Sequence, residues 1–168
     1  MSLDTFNQNN SSKANIARGI ISGFLGGLAG TLVKSTAEKF LEVRKIDEEE
    51  AQMTVIDDLS EKITGSQLSG VSENIAEQFA EIPLGASVGA AYGYGKKDDD
   101  DINLFDGVIL GATTWASTHE TSLPLAGLEK SPEDVPMRTQ LQELLSHVLF
   151  GVTTEIVRGA VSQGIKKL

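Results

Sequence analysis

Apolar residues in this chain fall into four segments with helical spacing, and no segment alternates apolar and polar residues as a β-strand does. The longest apolar segment covers residues 16–33, where Arg18 is the single charge, and its length is close to the shortest stretch that crosses a hydrocarbon core. The other segments cover about residues 72–95, 104–128 and 139–165. The pattern therefore predicts an all-α fold of four helices, with Pro83 kinking the second helix.

The polar stretches predict how these helices are connected. Residues 1–15 are rich in Asn, Gln and Ser and are expected to form a disordered leader, which leaves residues 16–168 as a single helical domain. Residues 44–72 are acidic but carry apolar side chains at the spacing of a surface helix, so they predict an extra amphipathic helix in the first connector. The four carboxylates of residues 98–101 are expected to be solvated, because the sequence suggests no group that neutralises them.

Glycines recur at intervals of four residues inside the predicted helices. In water an interior glycine destabilises a helix by roughly 1 kcal/mol relative to alanine, so soluble helices have reason to avoid it. In lipid, small residues four apart let two helices approach closely, and this packing supplies association energy. The glycines therefore indicate a glycine-rich transmembrane four-helix bundle with these packing positions: Gly19, Gly23, Gly27, Gly85, Gly89, Gly93, Gly107 and Gly111.

Ionisable residues in the third and fourth segments weigh against a membrane location. On insertion scales a charged side chain at mid-bilayer is unfavourable by about 2.5–3.5 kcal/mol, so these residues need pairing, an aqueous cavity or an oligomer interface. A soluble or peripheral oligomer with glycine-mediated helix contacts therefore stays open as the structural alternative.

The composition narrows the classes of function. With 24 Asp and Glu against 14 Lys and Arg, the net charge is −10, and no basic patch predicts binding to nucleic acid. The absence of cysteine removes disulfides, thiolate metal sites and cysteine nucleophiles. The sequence also lacks a phosphate-binding loop, a nucleophile elbow and a zinc-protease motif. We therefore expect a protein that is not an enzyme and has no resident cofactor.

Two histidines and two glutamates are the candidates for a polar site. Glu143 and His147 lie four residues apart on one helix face, and His119 with Glu120 could face them from the neighbouring segment. Two imidazoles and one carboxylate form a sufficient open coordination set, so these residues predict a divalent metal site or a proton relay. The alternative is that they only hydrogen-bond across the helix pair and fix its register.

Two charge pairs are expected from their spacing on single helices. Lys34 and Glu38 lie four residues apart on the first helix, and Glu155 and Arg158 lie three apart on the last. Each pair is interpreted either as part of an intramembrane charge network that lines a pathway or as an anchor of a helix end at the membrane surface.

Several short motifs resemble the YagU-like family of uncharacterised bacterial inner-membrane proteins. The motifs are VKSTAE at residues 33–38, HE at 119–120, LPLAGL at 123–128, ELLSH at 143–147 and EIVR at 155–158. The resemblance implies a four-helix integral protein of the bacterial inner membrane and carries no assigned reaction. The acidic first connector and the carboxylates of residues 98–101 depart from the family's expected pattern.

Three classes of function are consistent with the sequence. The first is a membrane-embedded structural or accessory protein that contacts lipid and forms a homo-oligomer through its small-residue helix faces. The second is a small transporter, channel or proton- or metal-handling protein that uses His119, Glu143 and His147. The third is a soluble or membrane-surface helical protein that binds a partner.

Overall fold

The computed structural model describes residues 3–41, 71–127 and 130–167, and side chains from residue 11 in the first range and residue 81 in the second. Its long helices are α1 (Leu3–Leu41), α2 (Val71–Gly95), α3 (Leu104–Ser117) and α4 (Met137–Lys166). These ranges contain no strand, which confirms the all-α prediction for this part of the chain.

The first helix begins earlier than the sequence suggested. Residues 3–15, expected to be a disordered leader, are helical in the structure. This stretch contains no glycine or proline that would interrupt a helix, and Asn15 Nδ2 donates a hydrogen bond of 3.0 Å to Asp98 Oδ1 in the turn after α2. The extra amphipathic helix predicted for the first connector lies, up to residue 70, outside the described residues.

The helical winding of the chain changes directly after α3 ends. After α3 the chain forms a π-helical turn, Thr118–Ser122, and a single α-helical turn, Leu123–Leu125, and a 3-10 turn then precedes α4. Pro124 accounts for the change, because proline has no N–H to donate and its ring crowds the carbonyl four residues earlier. In the π turn the N–H of Leu123 bonds to the carbonyl of Thr118, five residues back.

The helices pack as antiparallel neighbours. α1 contacts α2 on one side and α4 on the other, and α3 contacts α4. Gly23 of α1 faces Gly89 of α2, and Gly26 of α1 faces Thr154 of α4. Within the described ranges, α2 and α3 have no comparable contact with each other.

The glycines singled out from the sequence lie where the helix backbones meet. A Cβ built on any of the eight would come within 3.0 Å of an atom of a neighbouring helix, and for most of them that atom belongs to the backbone. Gly26 and Gly30, which flank the four-residue pattern on α1, lie equally close to a neighbour, and so does Gly151 of α4, which the pattern does not include. Two faces of α1 are therefore closely packed.

Polar and charged side chains are buried more often than hydrophobic ones in the described part of the structure. Among the described side chains, the buried hydrophobic residues are Ala86 and Phe150, whereas twelve polar or charged residues are buried. The buried face of α4 contains Glu143, Ser146, His147, Phe150, Gly151, Thr154, Glu155, Arg158, Gly159 and Ser162. Its outer face exposes Leu141, Leu145 and Leu149. Because soluble proteins bury their large apolar side chains and expose their charges, α4 shows the reverse pattern.

Candidate functional site

Lys34 lies at the centre of a buried ion-pair cluster between α1, α2 and α4, here called the Lys34 cluster. Its Nζ is 2.7 Å from Glu81 Oε1 and 2.9 Å from Glu38 Oε1. Ser35 Oγ donates to Glu81 Oε2 at 2.7 Å, and Ser146 Oγ donates to Glu38 Oε1 at 3.0 Å. The Lys34–Glu38 pair expected from the sequence is therefore part of a wider cluster that links three helices.

An open-sided cavity of about 40 Å³ lies beside the Lys34 cluster, and all four helices contribute to its wall. Its polar lining includes Thr31, Glu81, Thr114, Thr118, His119 and His147, and Phe150 is its largest apolar neighbour. A single water needs roughly 10–15 Å³ of such volume, so the cavity has room for about three waters.

His119 and His147 meet at this cavity. Their ring centroids are 5.0 Å apart and the rings are inclined by 78°. His119 belongs to the π-helical turn, a feature that is frequent at functional sites. His147 Nδ1 lies 2.9 Å from the backbone carbonyl oxygen of Glu143, which fits a donor Nδ1. The fold thus brings together the two imidazoles that the sequence singled out.

The four candidates for a metal or proton-relay site do not all lie at the cavity. Among the described residues, which include all four candidates, no group of three or more His, Cys, Asp or Glu side chains is arranged to hold a metal ion. Glu120 does not line the cavity, and Glu143 is buried on α4 without lining it. The two histidines instead share the cavity wall with threonine hydroxyls and the Lys34 cluster.

Glu155 and Arg158 form a second buried group with Tyr92 and Asn103, here called the Arg158 cluster. The two charged side chains are 0% and 1% exposed, and they are joined by bonds of 2.7 Å from Nε to Oε2 and 2.8 Å from Nη2 to Oε1. Tyr92 OH donates to Glu155 Oε2 at 2.9 Å, and the backbone N–H of Asn103 donates to Oε1 at 2.9 Å. The pair therefore belongs to the interior and is not a surface anchor.

The carboxylates of residues 98–101 are not all solvated, which corrects the expectation from the sequence. Asp100 Oδ2 is 2.6 Å from Lys166 Nζ, its Oδ1 is 3.3 Å from Arg18 Nη2, and Ser162 Oγ donates to it at 2.6 Å. Its side chain is only 11% exposed. The expectation was wrong because the neutralising residues come from α1 and α4, far from this turn in sequence.

The backbone of the same turn is held by Arg158. Its Nη1 donates to the carbonyl of Asp99 at 2.7 Å, and its Nη2 donates to the carbonyl of Asp101 at 2.8 Å. Lys96 pairs with Asp99 at 2.8 Å and with Asp106 at 2.6 Å. The turn therefore closes one end of the polar interior through charges from α1, α3 and α4.

These contacts shift the pKa values of the turn residues. The hydrogen bonds from Lys166 and Ser162 lower the pKa of Asp100 below its ordinary value. The hydrogen bond from Lys96 and that from the backbone N–H of Asp101 lower the pKa of Asp99. The hydrogen bonds to Asp106 and Asp99 raise the pKa of Lys96.

We expect acid to destabilise the protein through Asp100. Because the folded-state pKa of Asp100 is lowered, its stabilisation is complete above the unfolded pKa of about 3.9 and is lost as the pH falls through the lower folded value. The raised pKa of Lys96 acts at the other extreme, where stabilisation is lost above about pH 10. Thermal unfolding followed by circular dichroism between pH 2.5 and about 7 measures the acid effect.

Asp100→Asn should lower the midpoint at neutral pH and weaken its dependence on pH below about 4. Asp98→Asn is the matched control, because the Asp98 side chain is 69% exposed. Equal acid sensitivity in Asp100→Asn and the unchanged protein would show that this contact network does not stabilise the fold.

Comparison with known proteins gives a family but no activity. Residues 28–156 match the family described as "Protein of unknown function (DUF1440)". The chain belongs to this family. No curated protein and no solved structure matches the chain. The matched range of this DUF1440 protein contains the Lys34 cluster and both histidines, whereas Arg158 lies just beyond it.

Several residues of the Lys34 cluster and of the turn after α2 are not identified by the sequence pattern. Glu81 lies outside the apolar part of the second segment, and the pattern places Arg18, Lys96 and Lys166 only at segment ends. The sequence does contain a signal for Glu81, because this acidic residue directly precedes the apolar stretch that contains Pro83. An acidic side chain in a buried helix needs a partner. No local signal identified Lys34 as that partner.

Proposed function

We propose that this DUF1440 protein is an integral membrane protein, with apolar helix faces in contact with lipid and a polar interior. The reversed burial of α4 carries the proposal, since its inner face holds charges while its outer face exposes leucines. In water this arrangement loses the hydrophobic driving force, whereas in lipid the exposed faces match their surroundings.

The length of the apolar surface supports this location. Exposed large apolar side chains run from Ile20 to Phe40 on α1 and from Met137 to Ile156 on α4. At about 1.5 Å per residue each run is about 30 Å long, close to the thickness of a hydrocarbon core. Both α1, over Ser11–Leu41, and α4 are long and apolar enough to span a membrane, with mean hydropathies of 1.5 and 1.3 in their most apolar windows.

The structural or accessory role remains our first proposal for what the protein does in the membrane. Its helices pack closely at glycines, and the exposed leucines offer a surface for lipid and for further copies of the chain. The resemblance to the YagU-like proteins supports the bacterial inner membrane as the location. We propose neither nucleic-acid binding nor an enzymatic reaction.

The membrane assignment predicts the behaviour of the protein during fractionation. After cell lysis it should stay in the membrane pellet through washes with high salt and with sodium carbonate, and it should need detergent to enter solution. Both washes release proteins held at the surface by charge, whereas a helix in the hydrocarbon core stays. Recovery in the carbonate supernatant would favour the third class, a soluble or membrane-surface protein.

A second candidate function is the handling of protons or a small ion. The observation that favours it is the cavity, where His119, His147 and the Lys34 cluster meet inside helices with apolar outer faces. Ionisable residues inside a membrane protein commonly mark ion and proton pathways. Flux measured in liposomes separates this role from the structural one: no flux across a range of ions and pH would leave the structural role ahead.

A further inference from the structure

The exposure of the cavity wall shows where the cavity opens. Leu84 of α2 is 48% exposed, and Val88 of α2 and Thr114 of α3 are half-buried. On the side of α1 and α4, Thr31 and Phe150 are each 3% exposed. Within the described ranges α2 and α3 have little contact with each other, whereas α2 packs against α1 and α3 packs against α4. The open side of the cavity therefore lies between α2 and α3, and α1 and α4 form its floor.

The opening lies at the middle of the apolar surface for which we propose contact with lipid. The exposed large apolar side chains cover residues 20–40 of α1 and 137–156 of α4. Thr31 lies next to the middle of the first run, and Phe150 lies within four residues of the middle of the second. Four residues correspond to about 6 Å along a helix axis. A cavity that opens sideways at this depth meets the hydrocarbon chains of a bilayer and not its headgroups.

The wall of the cavity suits an uncharged, apolar occupant, because the surface that it exposes is mostly apolar. Its polar groups make bonds within the protein. Thr31 and Thr114 donate their hydroxyl protons to backbone carbonyls of their own helices at 2.9 and 2.8 Å, and Lys34 Nζ is 2.7 Å from Glu81 Oε1. These bonds stay intact when hydrocarbon fills the space, whereas a buried water needs about two to four polar partners.

We propose that this cavity takes the end of a hydrocarbon chain of a membrane lipid, which enters between α2 and α3 and ends against Phe150. The volume of about 40 Å³ holds about three water-sized groups, which corresponds to the last few carbons of a chain. A chain end here replaces empty space by dispersion contacts, and van der Waals packing is a main source of association energy inside a bilayer. The inference deepens the membrane assignment by naming the partner of this opening, and it rests on that assignment.

Photo-cross-linking tests which molecule reaches the cavity. The purified 168-residue protein is reconstituted into phosphatidylcholine vesicles that contain a small fraction of a phosphatidylcholine with a diazirine at the end of one acyl chain. After irradiation, adducts are located by mass spectrometry of peptides. Phe150 lines the cavity and is only 3% exposed, so lipid reaches it through the opening. We expect adducts at Phe150 and Leu84, together with adducts at Leu145, which is 47% exposed on the outer face of α4.

Matched substitutions fill the opening or leave it unchanged. Val88→Phe places a larger side chain in the cavity wall, so adducts at Phe150 should be lost while those at Leu145 stay. Val33→Phe is the control, because Val33 is 38% exposed and lies outside the cavity wall, and both adducts should stay in this variant. Should Val88→Phe fail to fold, Leu84→Trp supplies the same test at the exposed edge of the opening.

The outcomes separate this inference from the membrane assignment. Adducts at Leu145 without adducts at Phe150, the result expected if water or a second copy of the chain fills the opening, would overturn the lipid site alone. Adducts at Phe150 that persist in Val88→Phe and Leu84→Trp would also overturn it, because the label would then reach Phe150 by another route. A protein that forms no adduct at either position and enters the carbonate supernatant contradicts the membrane assignment, and the lipid site with it.

Discussion

Replacing Gly89 by alanine is expected to destabilise the protein by about 3 kcal/mol or more, although alanine favours a helix by roughly 1 kcal/mol over glycine. The added Cβ would overlap the Gly23 carbonyl oxygen and lie 2.6 Å from the Cα of Gly27. These are backbone atoms of α1, so no side-chain rotation relieves the overlap and the two helices must separate. Unfolding of the detergent-solubilised protein by heat or by a denaturing detergent measures the change.

Gly95→Ala is the matched control for this substitution. Gly95 ends the same helix, and a Cβ built there meets no atom within 4 Å. We expect this variant to be neutral or slightly stabilising. Similar losses for Gly89→Ala and Gly95→Ala would show that α1 and α2 are not held at the close approach that the structure shows.

The second large effect is expected at the Arg158 cluster. Arg158→Met removes the partner of the fully buried Glu155 carboxylate. It also removes the guanidinium that donates hydrogen bonds to the backbone carbonyls of Asp99 and Asp101. Breaking a buried ion pair in this way destabilises a protein by about 3–5 kcal/mol, because a charge remains buried without compensation. Midpoints of thermal unfolding in detergent report the loss.

A double variant identifies the cause of that loss. Glu155→Gln combined with Arg158→Met removes the uncompensated charge, so it should recover much of the stability lost in the single variant. Lys167→Met is the control for a general effect of charge removal, because Lys167 is exposed and substitutions at such surface positions usually change stability by about 0.5 kcal/mol or less. A double variant no more stable than Arg158→Met would contradict a buried pair between Glu155 and Arg158.

The helical segments were predicted well because their signals are local. The segments expected at residues 104–128 and 139–165 correspond to α3 with its following turns and to α4, and the second segment begins within one residue of α2. Periodic apolar residues and the positions of Pro124 and Gly127 suffice for this. The helical conformation of residues 3–15 was missed, since polar composition alone does not distinguish a helix extension from a leader.

The candidate site was predicted only in part. Spacing placed Glu143 and His147 on one face and suggested His119 as their neighbour, and the two imidazoles do meet. Glu120 is absent from the cavity wall, contrary to what its spacing suggested. The π-helical turn before Pro124 alters which residues face inward, and spacing alone does not predict such a turn. The contribution of Thr31 also depends on how α1 lies against α2, and residue periodicity within one helix does not encode that.

The sequence by itself determined the helices and the small-residue faces by which they pack, because both depend on residues three or four positions apart. Only the tertiary structure decided which charges meet: Lys34 bonds to Glu81 across 47 residues, and Asp100 bonds to Lys166 across 66. The carboxylates of residues 98–101 show the physical reason. Whether a charge is solvated or paired depends on groups that approach in space, and the antiparallel packing of α1 and α4 brings Arg18 and Lys166 to the same turn.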